Sequence, residues 1–338
     1  MGRALSSIEI GMTRRLPTFL LAIAGAASCG GATTDMPAPL MLERTIALPG
    51  VSGRIDHLAI DLKHNRLFVA ELGNGSVDAI DFARGTLIDR IGGLKEPQGL
   101  AYLPGQDELA VASGGDGTVR FFQGADLTPV GVISVGDDAD NLHVDAQASR
   151  LIVGYGSGAL AVIDPERRAI VSRATLPGHP EGFALTGDLA FVNVPDTQQI
   201  VVLNLASGAV TASWRGTHRL NFPMAVDPVS GTAAIAYRWA SRLVTFDIRN
   251  GSVRNDLPTC GDADDLFFDS VHRRIMVSCG AGKVEVFGIT ATGYRSLGTT
   301  ETRSGARTSL FIPEQDRLFV AVPAGSGSSA EIRVYRPT

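Results

Sequence analysis

The sequence predicts an all-β protein, a seven-bladed β-propeller closed into a ring by its N-terminal strand. The first observation behind this is a period. Val69 in LFVAEL recurs as Val111, Val153, Val192, Ile235, Val277 and Val320, at intervals of 42, 42, 39, 43, 42 and 43 residues. The second is a shared grammar. Each unit holds short apolar runs parted by polar or Gly-rich turns (LGNGS, GGDGT, GYGSG, GAGK), and four strands per unit, repeated radially, make a propeller blade. The third lies at the chain ends. The seventh unit offers SLFIP, RLFVAV and AEIRVYR and stops one strand short, while LERTIAL at 42–48 precedes the first full unit without a blade of its own. Pairing the two closes the ring and removes two edges that an open solenoid would expose to aggregation.

The composition agrees. With 44% of 338 residues hydrophobic and 19% charged, the chain has material for a large core, and 39 Gly and 17 Pro suit many tight turns. A formal charge of −5 with no basic face excludes a nucleic-acid surface.

The N-terminus reads as an export signal over residues 1–29, with Met12 a second candidate start. Arg14 and Arg15 are followed by an apolar run from Leu16 to Ala24 and then small residues up to Cys29. The run is too short to span a bilayer, and Pro17 and Thr18 break the pattern of a twin-arginine signal. Ala26-Ala27-Ser28-Cys29 is similar to a lipobox, in which Cys29 carries the lipid, although Ala26 stands where Leu is usual; cleavage near Ala24-Gly25-Ala26 with Cys29 incidental is the alternative. Residues 30–41 form a flexible tether and 42–338 a single propeller domain, exported to the periplasm or anchored to the outer membrane. Membrane contact is expected only through the lipid, and a monomer is expected.

Within the blades, Asp81, Asp164, Asn204 and Asp247 recur where third strands end, and Gly85, Gly208 and Gly251 follow four residues after the first, third and fourth of these. Asx side chains cap such turns and Gly supplies their positive φ. LFVAELGNGSVDAID followed by RGTLIDRIGG resembles the YVTN repeat of bacterial YncE-like propellers, as do LIVGYGSGALAVID and LAFVNVPDTQQIVVLNL. The resemblance implies an exported seven-bladed propeller and no particular chemistry.

In a propeller the residues just before each first strand ring the mouth of the central channel. Aligned on the first apolar residue of that strand, one position reads Asp56, Gln98, Asp140, Glu181, Phe222, Asp264 and Thr308; the next reads His57, Gly99, Asn141, Gly182, Pro223, Asp265 and Ser309. Two residues earlier than the first set stand Arg54, Glu96, Asp138, His179, Leu220, Asp262 and Ala306. The mouth is rich in carboxylates, and three readings stay open. These are solvated turn residues; or Asp56, Asp140, Glu181 and Asp264 converge on a divalent cation such as Ca²⁺, Mn²⁺ or Zn²⁺; or the mouth holds a cationic or polyhydroxylated small molecule oriented by Arg54 and His179.

No His-x-x-x-His or Cys-x-x-Cys spacing supports zinc, and His64, His143 and His272 fall in turns or a strand. Tyr237-Arg238-Trp239 falls in the turn after the second strand of blade five, on the mouth face, where Arg238 and Trp239 either serve a ligand or partner or pack between blades. Cys260 enters blade six and Cys279 ends its second strand, which predicts a disulfide bracing the acidic loop 261–265.

The functional expectation is an exported, non-catalytic binding or scaffolding propeller that uses its mouth for a small-molecule ligand or a protein partner. The alternative is a divalent-metal-dependent hydrolase similar to gluconolactonase-type propellers, with Glu181, Asn141 and Asp264 or Asp265 as the metal oxygens.

Overall fold

The structure, a computed structural model, describes residues 38–145, 147, 149–325 and 327–338. The expected export signal with Cys29, and residues 30–37 of the expected tether, lie outside the described residues. The described chain forms seven four-stranded antiparallel sheets. In blade one the strands run Leu58–Asp61, Arg66–Glu71, Ser76–Asp81 and Thr86–Ile91 from the inside outward. Ring closure is as the chain ends predict. Leu40–Leu48 pairs with Ala330–Pro337, setting Ile46 against Ile332 and Leu48 against Ala330, beside Arg317–Val322 and Ser309–Ile312.

That closing strand begins at Leu40, two residues earlier than its apolar run suggests, so residues 40–41 belong to the propeller and not to the tether. The cause is packing. Leu40 is 2% exposed among Met276, Phe311 and Tyr335, and its N–H donates to Thr300 Oγ1 of blade six at 3.2 Å. Because the strand ends where the chain enters the mouth, Leu40 lies at the opposite face.

The core is distributed, with one apolar cluster between each pair of neighbouring blades, the closing pair of blades seven and one included. Burial on both faces explains why the middle of the second strand of each blade, as in Leu67-Phe68-Val69-Ala70, is a continuous apolar run. The Asx turns also form. Asp81 Oδ1 accepts from the Arg84 N–H at 2.9 Å and Asn204 Oδ1 from Ser207 at 2.9 Å, with Gly85 and Gly208 at φ +73° and +70°.

Inner strands of adjacent blades nearly touch at the mouth. The Gly182 N–H of blade four donates to the Phe222 carbonyl of blade five at 3.1 Å, and a Cβ on Gly99 would lie 2.1 Å from the Asp140 carbonyl oxygen of blade three. Glycine at these two positions lets the inner strands converge, and that convergence makes the mouth.

Candidate functional site: the channel mouth

Strand register shows which residues form the ring. The partner of each second-strand Val or Ile is Leu58, Leu100, Leu142, Phe183, Met224 or Leu266 in blades one to six, but Ser309 in blade seven. The blade-seven alignment made from the sequence is therefore one residue out. Ser309 takes the first inward position, and its small polar side chain fits there by hydrogen bonding Ser278 Oγ at 2.7 Å. Arg307, not Thr308, is thus the counterpart of Asp56, and the ring reads Asp56, Gln98, Asp140, Glu181, Phe222, Asp264, Arg307. Sequence reasoning missed Arg307, although a search for any charged residue within one position of the ring would have met it.

The ring opens on a cavity of about 580 Å³. Arg54, Asp56, His57, Asp138, Asp140, Asn141, His179, Glu181, Arg238, Asp264 and Asp265 are all on its wall, so the structure brings these sequence-predicted residues together. Trp239 is the exception. It projects from the rim at 84% exposure, outside the cavity wall, while Tyr237, expected in the same turn, closes its strand fully buried. Below the charged rim the throat turns apolar with Leu58, Leu100, Leu142, Phe183 and Leu266. His143 stands there too, its ring 4.2 Å from that of Phe183; burial, with the charge of His57 adding to it, pushes it down to about 4 and keeps it neutral.

The mouth has two unlike halves. Across blades five, six, seven and one the carboxylates are matched by cations. Asp264 pairs with Arg238 and, at 3.1 Å, with Arg307, which also meets Asp262 at 3.0 Å. Arg238 lies over the Phe222 ring at 3.7 Å. Asp56, 1% exposed, has Arg54 at 2.8 Å and His57 Nδ1 at 3.0 Å. Burial alone would raise the Asp56 carboxyl, but His57, Arg54 and Arg307 hold it below its ordinary range. His57 rises to about 10 in spite of burial, because Asp56, Asp140 and Asp265 face it. Asp265 accepts the Ser309 N–H at 2.5 Å, yet burial raises it to about 7.

The half on blades three and four is under-supplied. Asp138, Asp140 and Glu181 have one cation within 4 Å among the described residues, His179, whose ring is 3.6 Å from Asp138 and 3.9 Å from Asp140, while His57, Arg54 and Arg238 act on Asp140 or Glu181 from farther off. Its Nδ1–H donates to the Gly156 carbonyl at 2.7 Å, which directs Nε2 toward Asp140, and that carboxylate raises the ring to about 9. Asp140 is 8% exposed, and its Oδ1 is sealed from solvent with no hydrogen-bond partner. Among the described residues Glu181 has neither an ion pair nor a side-chain hydrogen bond; burial first, then Asp140, raises it to about 8.

As for a divalent ion, the four carboxylates expected to converge are not equivalent, since Asp264 and Asp56 are engaged by guanidinium groups, Asp140 has His179 at 3.9 Å, and Glu181 has no ion pair among the described residues. Among the described residues, the side chains close enough to share an ion are Asp61, His64 and Asp107, and Asp269, His272 and Asp316, at the opposite ends of the inner strands. In the first of these Arg66 occupies the centre, bonded to both carboxylates.

The disulfide between Cys260 and Cys279 is formed, with Cα atoms 5.9 Å apart. It secures the loop in which the Asp262 N–H donates to the Arg238 carbonyl at 3.2 Å and the Asp262 carbonyl accepts from Gly280 at 2.8 Å.

No family model matches the chain, and no curated protein does. Among solved structures, a chain in "Crystal Structure of Mitotic Checkpoint Complex" superposes with a TM-score of 0.74 at 15% identity, covering 96% of this chain and 99% of that one. It is one of 1807 matching chains, a breadth that makes the likeness evidence of fold alone. The chain is a seven-bladed β-propeller whose N-terminal strand completes its last blade.

Proposed function

We propose that this protein is an exported, non-catalytic binding module of the YVTN, YncE-like kind, and that its channel-mouth cavity takes a small polar molecule. The observation that carries this is the Asp140 carboxylate, 8% exposed and with no donor to its Oδ1, on the wall of a cavity of about 580 Å³, a volume suited to one such molecule. A buried acceptor without a donor costs roughly 1–3 kcal/mol, which a bound donor would recover. The apolar throat under a charged rim suits a ligand with a polar head and a short hydrocarbon body.

The test is thermal unfolding against a panel of small amines, sugars and amino acids. A binder at a hundred times its Kd stabilises by about 2.7 kcal/mol. The expected result is a saturable shift from part of the panel that is lost in Asp140→Asn. A panel without effect, or a shift that survives in Asp140→Asn, would overturn the proposal. EDTA followed by Ca²⁺, Mn²⁺ or Zn²⁺ forms a separate arm, and a metal-dependent shift lost in Glu181→Gln would favour the hydrolase instead.

A further inference from the structure

The asymmetry of the mouth narrows the ligand. Resting on the proposed binding role of the cavity, we infer that the arc formed by Asp138, Asp140 and Glu181 on blades three and four receives an organic cation, a guanidinium or ammonium head whose hydrocarbon tail enters the throat. The matched half of the ring shows what a charge-balanced arc looks like, for although Asp56 Oδ2 there also lacks a hydrogen bond it has the Arg54 guanidinium at 2.8 Å. There, three arginines and His57 face Asp56, Asp262, Asp264 and Asp265. The open half has the same kind of carboxylates but a single imidazolium, and that imidazolium lies 3.6 to 3.9 Å from its partners. A carboxylate cluster alone would show nothing, because solvent can satisfy it. Asp140 gains little that way, since it is 8% exposed and its Oδ1 has no donor, and Glu181 beside it on the cavity wall has neither an ion pair nor a side-chain hydrogen bond among the described residues. A head group with several N–H donors matches this deficit in both charge and hydrogen bonding.

Leu142 and Phe183 lie directly beneath the arc, on the same two blades, and give an alkyl chain of a few carbons apolar contact. Phe222 on blade five supplies an aromatic ring beside them, with Arg238 already over it. The arrangement therefore selects a cation with a short apolar body over a fully hydroxylated molecule.

Binding of such a cation must be linked to protons. Glu181 faces Asp140 and Asp138 from blade three, His179 on its own blade, Arg238 from blade five, Asp264 from blade six and Arg54 from blade one. Burial and Asp140 keep it protonated to about pH 8. A cation seated against it reverses that balance, so one proton leaves Glu181 as the ligand arrives, and affinity rises with pH up to that point.

The test uses butylguanidinium, whose charge is fixed across the working range, against butylurea, its uncharged isostere, by isothermal titration calorimetry on the full propeller. At pH 9 the cation should bind at least tenfold more tightly than the urea. At pH 7, paired buffers of different ionisation enthalpy should show close to one proton released per ligand. Glu181→Gln should weaken the cation several-hundredfold at pH 9, since each unit by which the ligand lowers the Glu181 midpoint is tenfold in affinity, and only about twofold at pH 5, whereas Asp140→Asn should weaken it at both. Equal affinity for the two probes, or an unchanged pH 9 affinity in Glu181→Gln, overturns the inference. If both probes bind equally and Asp140→Asn still weakens them, the cavity binds small molecules without selecting cations. If neither probe binds, the cation inference falls by itself, and the panel decides the cavity's role separately.

Discussion

Gly99 offers the sharpest test of how the mouth is built. A Cβ at this position would stand 2.1 Å from the Asp140 carbonyl oxygen, 2.9 Å from the Leu142 nitrogen and 3.0 Å from the Leu142 Cβ. Ordinary carbon–oxygen contact needs more than 3 Å, and two of the three obstacles are backbone, which cannot rotate aside. In Gly99→Ala the inner strands of blades two and three must therefore part by about an ångström, an overpacking expected to cost about 3 kcal/mol. With an unfolding entropy of about 2.1 cal/mol/K per residue over roughly 300 folded residues, that lowers Tm by about 5 °C. Calorimetry reads the shift directly. Gly105→Ala is the internal control, because its Cβ would meet nothing within 4 Å and its backbone is not in the left-handed region. The segment that must retreat includes Asp140, two residues before the strand Leu142–Asp145, so Gly99→Ala should also weaken any mouth ligand while Gly105→Ala leaves it unchanged. A Gly99→Ala protein as stable as the control would refute the close approach of the inner strands.

Three further predictions concern the surroundings of the ring. Replacing Cys260 and Cys279 together by alanine opens a loop of sequence separation 19, and chain entropy puts the loss at about 3 kcal/mol in a urea titration. Arg307→Met leaves Asp264 with Arg238 as its remaining guanidinium and should destabilise by about 2 kcal/mol, most of it restored by adding Asp264→Asn in a double-mutant cycle. Folded-state Glu181, Asp265, His57 and His179 all hold protons to higher pH than the unfolded chain does, so stability should fall as pH rises from about 5 toward 9. Each such group contributes up to about 1.4 kcal/mol per pH unit within its own window, and the slope below pH 8 should be shallower in Glu181→Gln.

Much of the fold could be read from the sequence because a propeller repeats its hydrophobic pattern. The recurrence of Val69 placed the blades, and LERTIAL without a blade of its own placed the closure. The ring was readable for the same reason in six blades, where a large apolar residue opens the inner strand. It slipped in blade seven because Ser309 opens that strand through a hydrogen bond to Ser278 in place of apolar packing, a choice that hydropathy cannot register. Arg307 was lost with it. The division of the mouth was hidden for another reason: formal charge counts carboxylates but not their partners, and Asp264 meets Arg238 and Arg307 only after the ring has closed. Nothing in the local sequence separates Asp264 from Asp140. Trp239 shows the converse, since its position in a rim turn was clear but its direction, away from the cavity, depends on side-chain packing.

The most direct measurement is the titration of Glu181 in protein carrying ¹³C-labelled glutamate, followed by NMR at the side-chain carboxyl. Burial raises two glutamates to about 8, Glu71 in blade one and Glu181 at the mouth, and an arc short of a cation predicts that the midpoint missing from Glu181→Gln is the one moved to the ordinary carboxylate range by saturating butylguanidinium, while that of Glu71 stays. If no midpoint near 8 disappears in Glu181→Gln, or the one that does is unmoved by the cation, blades three and four do not form the site described.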